Sequence, residues 1–263
     1  MLIAADYSEA CHIALIRQGS SCSVCMVKKE DFPNLVKKHK LRTVNDMKKV
    51  VNAAERIIAE LGERELKKNG LVGIQNSLWD LPHVNMYNIF TPDVLHQIKK
   101  GVWEHIVNWF KSLIHMQYSA QHNSTAILAE LDARFSLVPH FPRLRRFPNG
   151  ITQLPQMTAG EYSATMKIFL GCSRGLFPPS MGVLKGVRAF LVWYFHASLP
   201  VQTDAMLEEL AKDLAAFNKA KNVFIEASPS KFQFPKIHSM QYCADQIKKY
   251  GTLDNYDLEY REH

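Results

Sequence analysis

The chain has 263 residues, of which 47 % are apolar, and its 32 basic against 25 acidic residues give a net charge of +7, enough length and apolar content for one large domain or a domain with a big insertion. No run of about 18 apolar residues occurs, which excludes a simple membrane span, and Asp6 and Glu9 stand where a signal peptide carries basic residues. Five cysteines in a chain this long point to a reducing, intracellular setting rather than a disulfide framework, and the mild basic excess suits a polyanion partner or an ordinary basic protein equally.

Leu2 to Ala5 is a short apolar run that ends at Asp6, and it reads as a strand. A helical pattern follows (Ala10, Ile13, Ala14, Ile16), then the turn residues Gly19-Ser20-Ser21, then Cys22 to Val27 as a second short strand. Strand, acidic residue, helix, turn and strand together make an α/β fragment. From 43 to 251 the chain reads as mostly helical. Met47, Val51, Ala54, Ile58 and Leu61 share one helix face, with Gly70 as the stop. Thr91-Pro92 is expected to open the best-defined helix, Thr91 as cap and Pro92 in the first turn. Further helices are expected over 123–138, 183–198, 203–223 and 237–250. Residues 139–157 form an irregular basic segment, and Thr158-Ala-Gly-Glu161 has the form of a capping box.

Several groups have the residue types that carry chemistry. Asp6, at the end of a strand, is placed either to hold a metal ion or to cap the following helix. Cys22-Ser-Val-Cys25 is half of a tetrahedral zinc site or a pair of buried thiols. His12, His96, His238 and Cys243 are candidates to complete it, and nothing in the spacing selects among them. Asp93 and His96 stand three apart on one helix face. The tail bears Asp254, Asp257, Glu259 and Glu262, as a metal-binding carboxylate or as a solvated charged end. Pro142-Arg-Leu-Arg-Arg-Phe-Pro148 sets Arg143, Arg145 and Arg146 beside Phe141 and Phe147, a combination suited to phosphates and bases.

In order, these segments resemble a known pattern. Thr91-Pro-Asp-Val-Leu-His-Gln through Trp109 resembles the "PDLLHQ…KG.FK.H…W" block of fungal Plavaka/KDZ-type transposases of the CACTA superfamily. Glu130 to Phe135 resembles "ID.RF", Pro139 to Gly150 resembles "P.FPGLRRFP.G", and Gln156 to Tyr162 resembles "QWTG.EY". Phe234 to Met240 resembles "F.IPK.HSM", Gly251 to His263 resembles "G..D.YNTE.SERLH", and Ala5 to Glu9 with Cys22 and Cys25 resembles "aDYPE…CP.C".

The resemblance implies a DDE-type catalytic domain that cleaves and transfers DNA strands with Mg²⁺ or Mn²⁺ held by two Asp and a Glu. Asp6 takes the place of the second Asp and Glu262 of the Glu, with Glu259 as its alternative. The first Asp has no match in this sequence, and Asp93, with His96, belongs to a hallmark of unassigned role that is one substitute for it. The fold implied is mostly α: a remnant of a ribonuclease-H-like core with about two short strands and a large all-helical insertion. The expected division is 1–30 as partial core with the CxxC, 31–251 as insertion, and 252–263 as the truncated start of the helix bearing the acidic residue. A catalytically inactive fragment is expected, with Zn²⁺ at Cys22 and Cys25 as a further option and His238 as a family-motif residue. DNA as partner, a homo-oligomer, no membrane and a nuclear location follow from the same resemblance. The rivals are a DNA- or chromatin-binding module and a zinc-stabilised interaction domain.

Overall fold

Strand β1 (Ile3–Ala5) lies parallel to β2 (Phe90–Pro92), with Ala5 opposite Pro92. These are the two strands of one small sheet in a computed structural model that describes residues 3–256 and is otherwise mostly helical. Each strand runs straight into an aspartate and then a helix. Asp6 follows β1 and caps α1 (Tyr7–Ala14) by accepting the Glu9 N–H at 2.7 Å. Asp93 follows β2 and accepts the N–H groups of Leu95 (3.3 Å) and His96 (2.7 Å), at the start of a π-helical run over Val94–Trp103. Because Ala5 and Pro92 are paired, the two capping aspartates occupy equivalent places at the carboxyl ends of neighbouring parallel strands.

The chain forms two compact units, Met1–Gln97 with Gln233–His263, and Ile98–Phe232. The first holds β1, β2, α1, the helical hairpin α2 (Val44–Glu55) and α3 (Ala59–Lys68), and α9 (Pro235–Ser239) and α10 (Cys243–Tyr250). Its main core joins Ala10, Cys11 and Ala14 of α1 to Met47 and Val51 of α2, Leu66 of α3, and Trp79, Met86, Tyr87 and Phe90. A separate small cluster gathers Cys22, Cys25, Val27, Phe32 and Tyr242.

Several expectations are corrected here. Cys22 to Val27 is not a second strand: Cys25 makes one isolated antiparallel bridge to Leu41, and the partner of β1 is β2. Thr91 and Pro92 do not open a helix. They end β2, and Asp93 takes the capping role because its two carboxylate oxygens meet the first free N–H groups of the helix. The helix expected from Met47 to Leu61 breaks at 56–58, where Ile58 turns extended (φ −53°, ψ 135°). The chain then folds back so closely that a Cβ on Gly62 would lie 2.5 Å from the Ala54 carbonyl oxygen. That fold-back leaves Ile58 75 % and Leu61 50 % exposed instead of on a continuous buried stripe. The helix expected over 237–250 is likewise divided, by a 3₁₀ turn at Met240–Tyr242. Gly70, in the left-handed region at φ +69°, does follow α3 as its stop.

The second unit is helical: α4 (Glu104–Tyr118), α5 (Ser124–Ser136), α6 (Ala159–Ser173), α7 (Val183–Ala197) and α8 (Asp204–Ala220). Its centre is Trp103, fully buried, with its indole N–H donating to Thr165 Oγ1 at 2.9 Å. The ring meets Phe169 edge-on and stacks on Phe190, at 5.0 and 5.8 Å between centroids. The expected capping box at Thr158 and Glu161 is present at the head of α6. Asp132 on α5 clasps the basic segment: its Oδ1 accepts the Ile151 and Thr152 N–H groups at 2.7 and 2.9 Å, and its other oxygen accepts the Thr152 hydroxyl.

Lys221 is buried in this unit (3 % exposed), donating to Asn218 O and Oδ1 at 2.9 Å each. Burial pulls its ammonium down to about 8. Between that value and the free-lysine range the unfolded chain binds the extra proton, so stability rises with pH there. We expect roughly 2 kcal/mol of added stability between pH 7.5 and 10, allowing for residual solvation. Urea unfolding at the two pH values should show that rise in the wild type and its loss in Lys221→Met; equal rises in both would refute it.

Candidate metal centre

The chain between α1 and α2 is fixed by one buried guanidinium. Arg42, 1 % exposed, donates from Nε to the Cys22 carbonyl and from Nη1 to the Asn69 carbonyl, both at 2.8 Å. The Arg42 N–H reaches the Val24 carbonyl (2.9 Å) and the Met26 N–H reaches the Lys40 carbonyl (2.8 Å), so residues 24–26 run beside 40–42. This ties down both ends of the Cys-x-x-Cys turn. Opposite it, Pro235 in the first turn starts α9, which carries His238, and Tyr242 follows one turn later.

Cys22, Cys25 and His238 are all buried, and their donor atoms lie within 4.8 Å of one another. Cys25 Sγ is 3.4 Å from His238 Nε2. Around a tetrahedral zinc ion, sulfur and nitrogen ligands stand about 3.5 Å apart, so this edge already has the needed length. The Tyr242 hydroxyl lies 3.1 Å from His238 Nε2 and 3.8 Å from Cys22 Sγ. Gln241 Nε2 is 2.8 Å from His238 Nδ1, and Gln241 Oε1 is buried without a hydrogen-bond partner. With the amide turned over, that oxygen accepts the Nδ1 proton and leaves Nε2 with its lone pair toward the sulfurs, as a ligating histidine requires.

The two thiols are driven apart in acidity. Burial works against the Cys22 thiolate, but hydrogen bonds from Cys25 and His238, the His238 charge and the Val24 N–H together hold Cys22 well below the ordinary thiol range. Cys25 is pushed far up by sharing its proton with Cys22 and then by burial. Tyr242 is pushed up by burial and by both sulfurs. A soft set of two sulfurs and an imidazole nitrogen, with one thiol biased toward its thiolate, can hold a metal ion.

Of the residues weighed as partners of the CxxC, His238 is in the cluster. His12 is exposed on α1, and Cys243 is buried with its thiol raised to about 12 by desolvation. His96 instead faces the fully buried Asp93 carboxylate, Nδ1 to Oδ2 2.5 Å. Asp6 stands as the cap of α1. Arg143, Arg145 and Arg146 are exposed, Arg145 being 3.6 Å from Glu161, and Arg143 has a left-handed backbone at φ 62°. Their two flanking aromatics differ: Phe141 is 67 % exposed, while Phe147 is buried and meets Phe135 edge-on at 5.7 Å. Glu259 and Glu262 lie outside the described residues. Sequence reasoning passed over Arg42, His39 and Tyr242; an isolated Arg in a Lys-rich stretch gives no periodic signal that it will be buried.

Residues 1–110 match the family model described as Plavaka transposase. Over that segment, less than half of its length, the chain is similar to Plavaka transposases. The matched segment takes in Asp6, both cysteines, Arg42, Asp93 and His96, whereas His238 comes from beyond it. No curated protein matches the chain. Among the described residues no helix is long and apolar enough to cross a membrane.

Proposed function

We propose that this chain derives from the catalytic region of a DDE-type DNA transposase, that it binds DNA, and that it does not cleave DNA by itself. The observation that carries the reading is the Plavaka match over residues 1–110. The β1–β2 pair supports a ribonuclease-H-like remnant, because it sets Asp6 and Asp93 at the carboxyl ends of neighbouring parallel strands, where α/β proteins place ligand-binding carboxylates. Mg²⁺ or Mn²⁺ supplies charge neutralisation at the attacking and leaving oxygens in this chemistry. The resemblance assigns this sequence two of the three carboxylates, Asp6 and Glu262, with Glu259 as the alternative to the latter.

Asp93 does not fit as a third. Both of its oxygens are engaged, by the Leu95 and His96 N–H groups and the His96 ring, on a side chain with no exposed surface. Among the described residues the cluster of three metal-capable side chains is Cys22, Cys25 and His238, which is suited to structural zinc and not to phosphodiester chemistry. A role as a zinc-stabilised DNA-binding or interaction module, acting in the nucleus, is the reading that cluster favours. The exposed Arg143, Arg145 and Arg146 with Phe141 are the surface for DNA.

Two assays on the full chain test this. Strand cleavage and transfer with Mg²⁺ or Mn²⁺ is expected to be absent; activity that disappears in Asp6→Ala would refute the inactive reading. DNA affinity is expected to fall steeply with salt, and the Arg143→Ala/Arg145→Ala/Arg146→Ala variant to flatten the log–log slope by roughly 2 to 3, about 0.9 per phosphate contact. An unchanged slope would remove this loop from the interface.

A further inference from the structure

We propose that His39 is the fourth ligand of the metal held by Cys22, Cys25 and His238, closing a Cys₂His₂ centre; this rests on the reading of that cluster as a zinc site. His39 Nε2 is buried and makes no hydrogen bond among the described residues. A buried imidazole nitrogen without a partner is destabilising and calls for an explanation, an ion among them. Its ring stands edge-on to His238, 5.8 Å between centroids and 63° between planes. The backbone brings it there: His39 directly precedes Lys40 and Leu41, which are bonded to Met26 and bridged to Cys25. The ligand that completes the site therefore comes from the strand-like segment already zipped to the CxxC turn. Phe32, whose ring centroid is 5.3 Å from that of His238, walls the same space.

Tyr242 is the competitor, since its hydroxyl lies 3.8 Å from Cys22 Sγ and 3.1 Å from His238 Nε2. Zinc is taken by thiolate, imidazole and carboxylate, while a phenol has to lose a proton that burial holds tightly. In the loaded centre Tyr242 donates its O–H to a thiolate, an outer contact that orients the ligand. His39 is outside the three side chains whose donor atoms already lie within 4.8 Å of one another, so loading the centre draws its imidazole inward. Four protein ligands leave no open position, so the centre is structural and performs no hydrolysis. It clips residues 22–39 to α9, segments about 200 positions apart in sequence.

The experiment is a Co²⁺ titration of the metal-stripped 263-residue chain, read by visible absorption, with Zn²⁺ competition for affinity. The wild type is expected to bind one Co²⁺ with the strong bands of a tetrahedral site. His39→Ala is expected to weaken binding by more than the 10–100-fold typical of losing an outer contact, and to change the bands. Tyr242→Phe should leave the bands in place. His39→Cys should restore affinity with a stronger sulfur charge-transfer band, which separates loss of a ligand from loss of the fold. If His39→Ala binds as the wild type does while Cys22→Ser does not, the zinc site stands and His39 is not its ligand. If the wild type binds no metal, the zinc reading fails and this assignment with it.

Discussion

Cys25→Ser is expected to lower the melting temperature of the chain by about 15 °C, and a strong chelator to do the same to the wild type. The residues between α1 and α2 have one 3₁₀ turn, at Lys29–Asp31, as their only helix and two short backbone pairings. Beyond Ile16 and Met26, which meet the main core, their apolar support is the small separate cluster of Cys22, Cys25, Val27, Phe32 and Tyr242. Such a cluster is too small to order a long loop against its conformational entropy. A structural metal adds several kcal/mol to the folded state, and losing about 4 kcal/mol moves the melting point of a unit this size by roughly 15 °C. The serine variant also leaves Cys22 and His238 buried without their partner, which costs about 1–3 kcal/mol more. The check is calorimetry with and without chelator, alongside zinc content of the purified chain. Equal melting of wild type and Cys25→Ser would mean that the cysteines are ordinary buried thiols and the loop is held by Arg42 alone.

What was legible in the sequence was local. The helices over 124–136, 183–197 and 204–220 follow from apolar spacing, and the Thr158 capping box from four residues in a row, because both signals lie inside one element. The features that make the site are not local. β1 pairs with a strand 87 residues later, and Cys25 meets a histidine 213 residues away. Spacing cannot carry such a pairing, so His12, His96, His238 and Cys243 were equal candidates until the fold separated them. Thr91-Pro92 misled for a different reason. A Thr-Pro pair suits a helix start, but Pro92 also suits a strand end, and the carboxylate of Asp93 is the better cap. Asp6 keeps both of its readings: it caps α1 through the Glu9 N–H, and that bond does not decide whether the carboxylate also holds a metal ion.

The largest effect in the other unit is expected at the clasp beneath the basic segment. Asp132→Ala removes three hydrogen bonds to a charged acceptor and strands the N–H of Ile151, which is 1 % exposed. Bonds to charged groups are worth about 1.5–3 kcal/mol each and are not additive, so a net loss of about 3 kcal/mol is expected. Asp132→Asn keeps a carbonyl oxygen toward both N–H groups and should lose roughly 1 kcal/mol. Gly150→Ala should be as damaging as Asp132→Ala for a separate reason. Gly150 has φ +74°, and an added Cβ would overlap the Asp132 carboxyl group. The two variants are therefore coupled: in the double variant the overlap is gone, so its loss should fall short of the sum by about 1–2 kcal/mol. Urea unfolding of the four proteins measures this, and strict additivity would show that Gly150 is needed for its backbone angle and not for the approach of Asp132. The same clasp bears on DNA. Residues 142–149 are anchored by Phe147 against Phe135 at one point and by Asp132 just beyond Gly150, and Arg143, Arg145 and Arg146 project from between α5 and that anchor. Releasing it frees the loop, so an Asp132→Ala chain that is still folded should bind DNA more weakly while retaining the wild-type salt slope, because the number of phosphate contacts is unchanged and only the entropy of ordering them has grown.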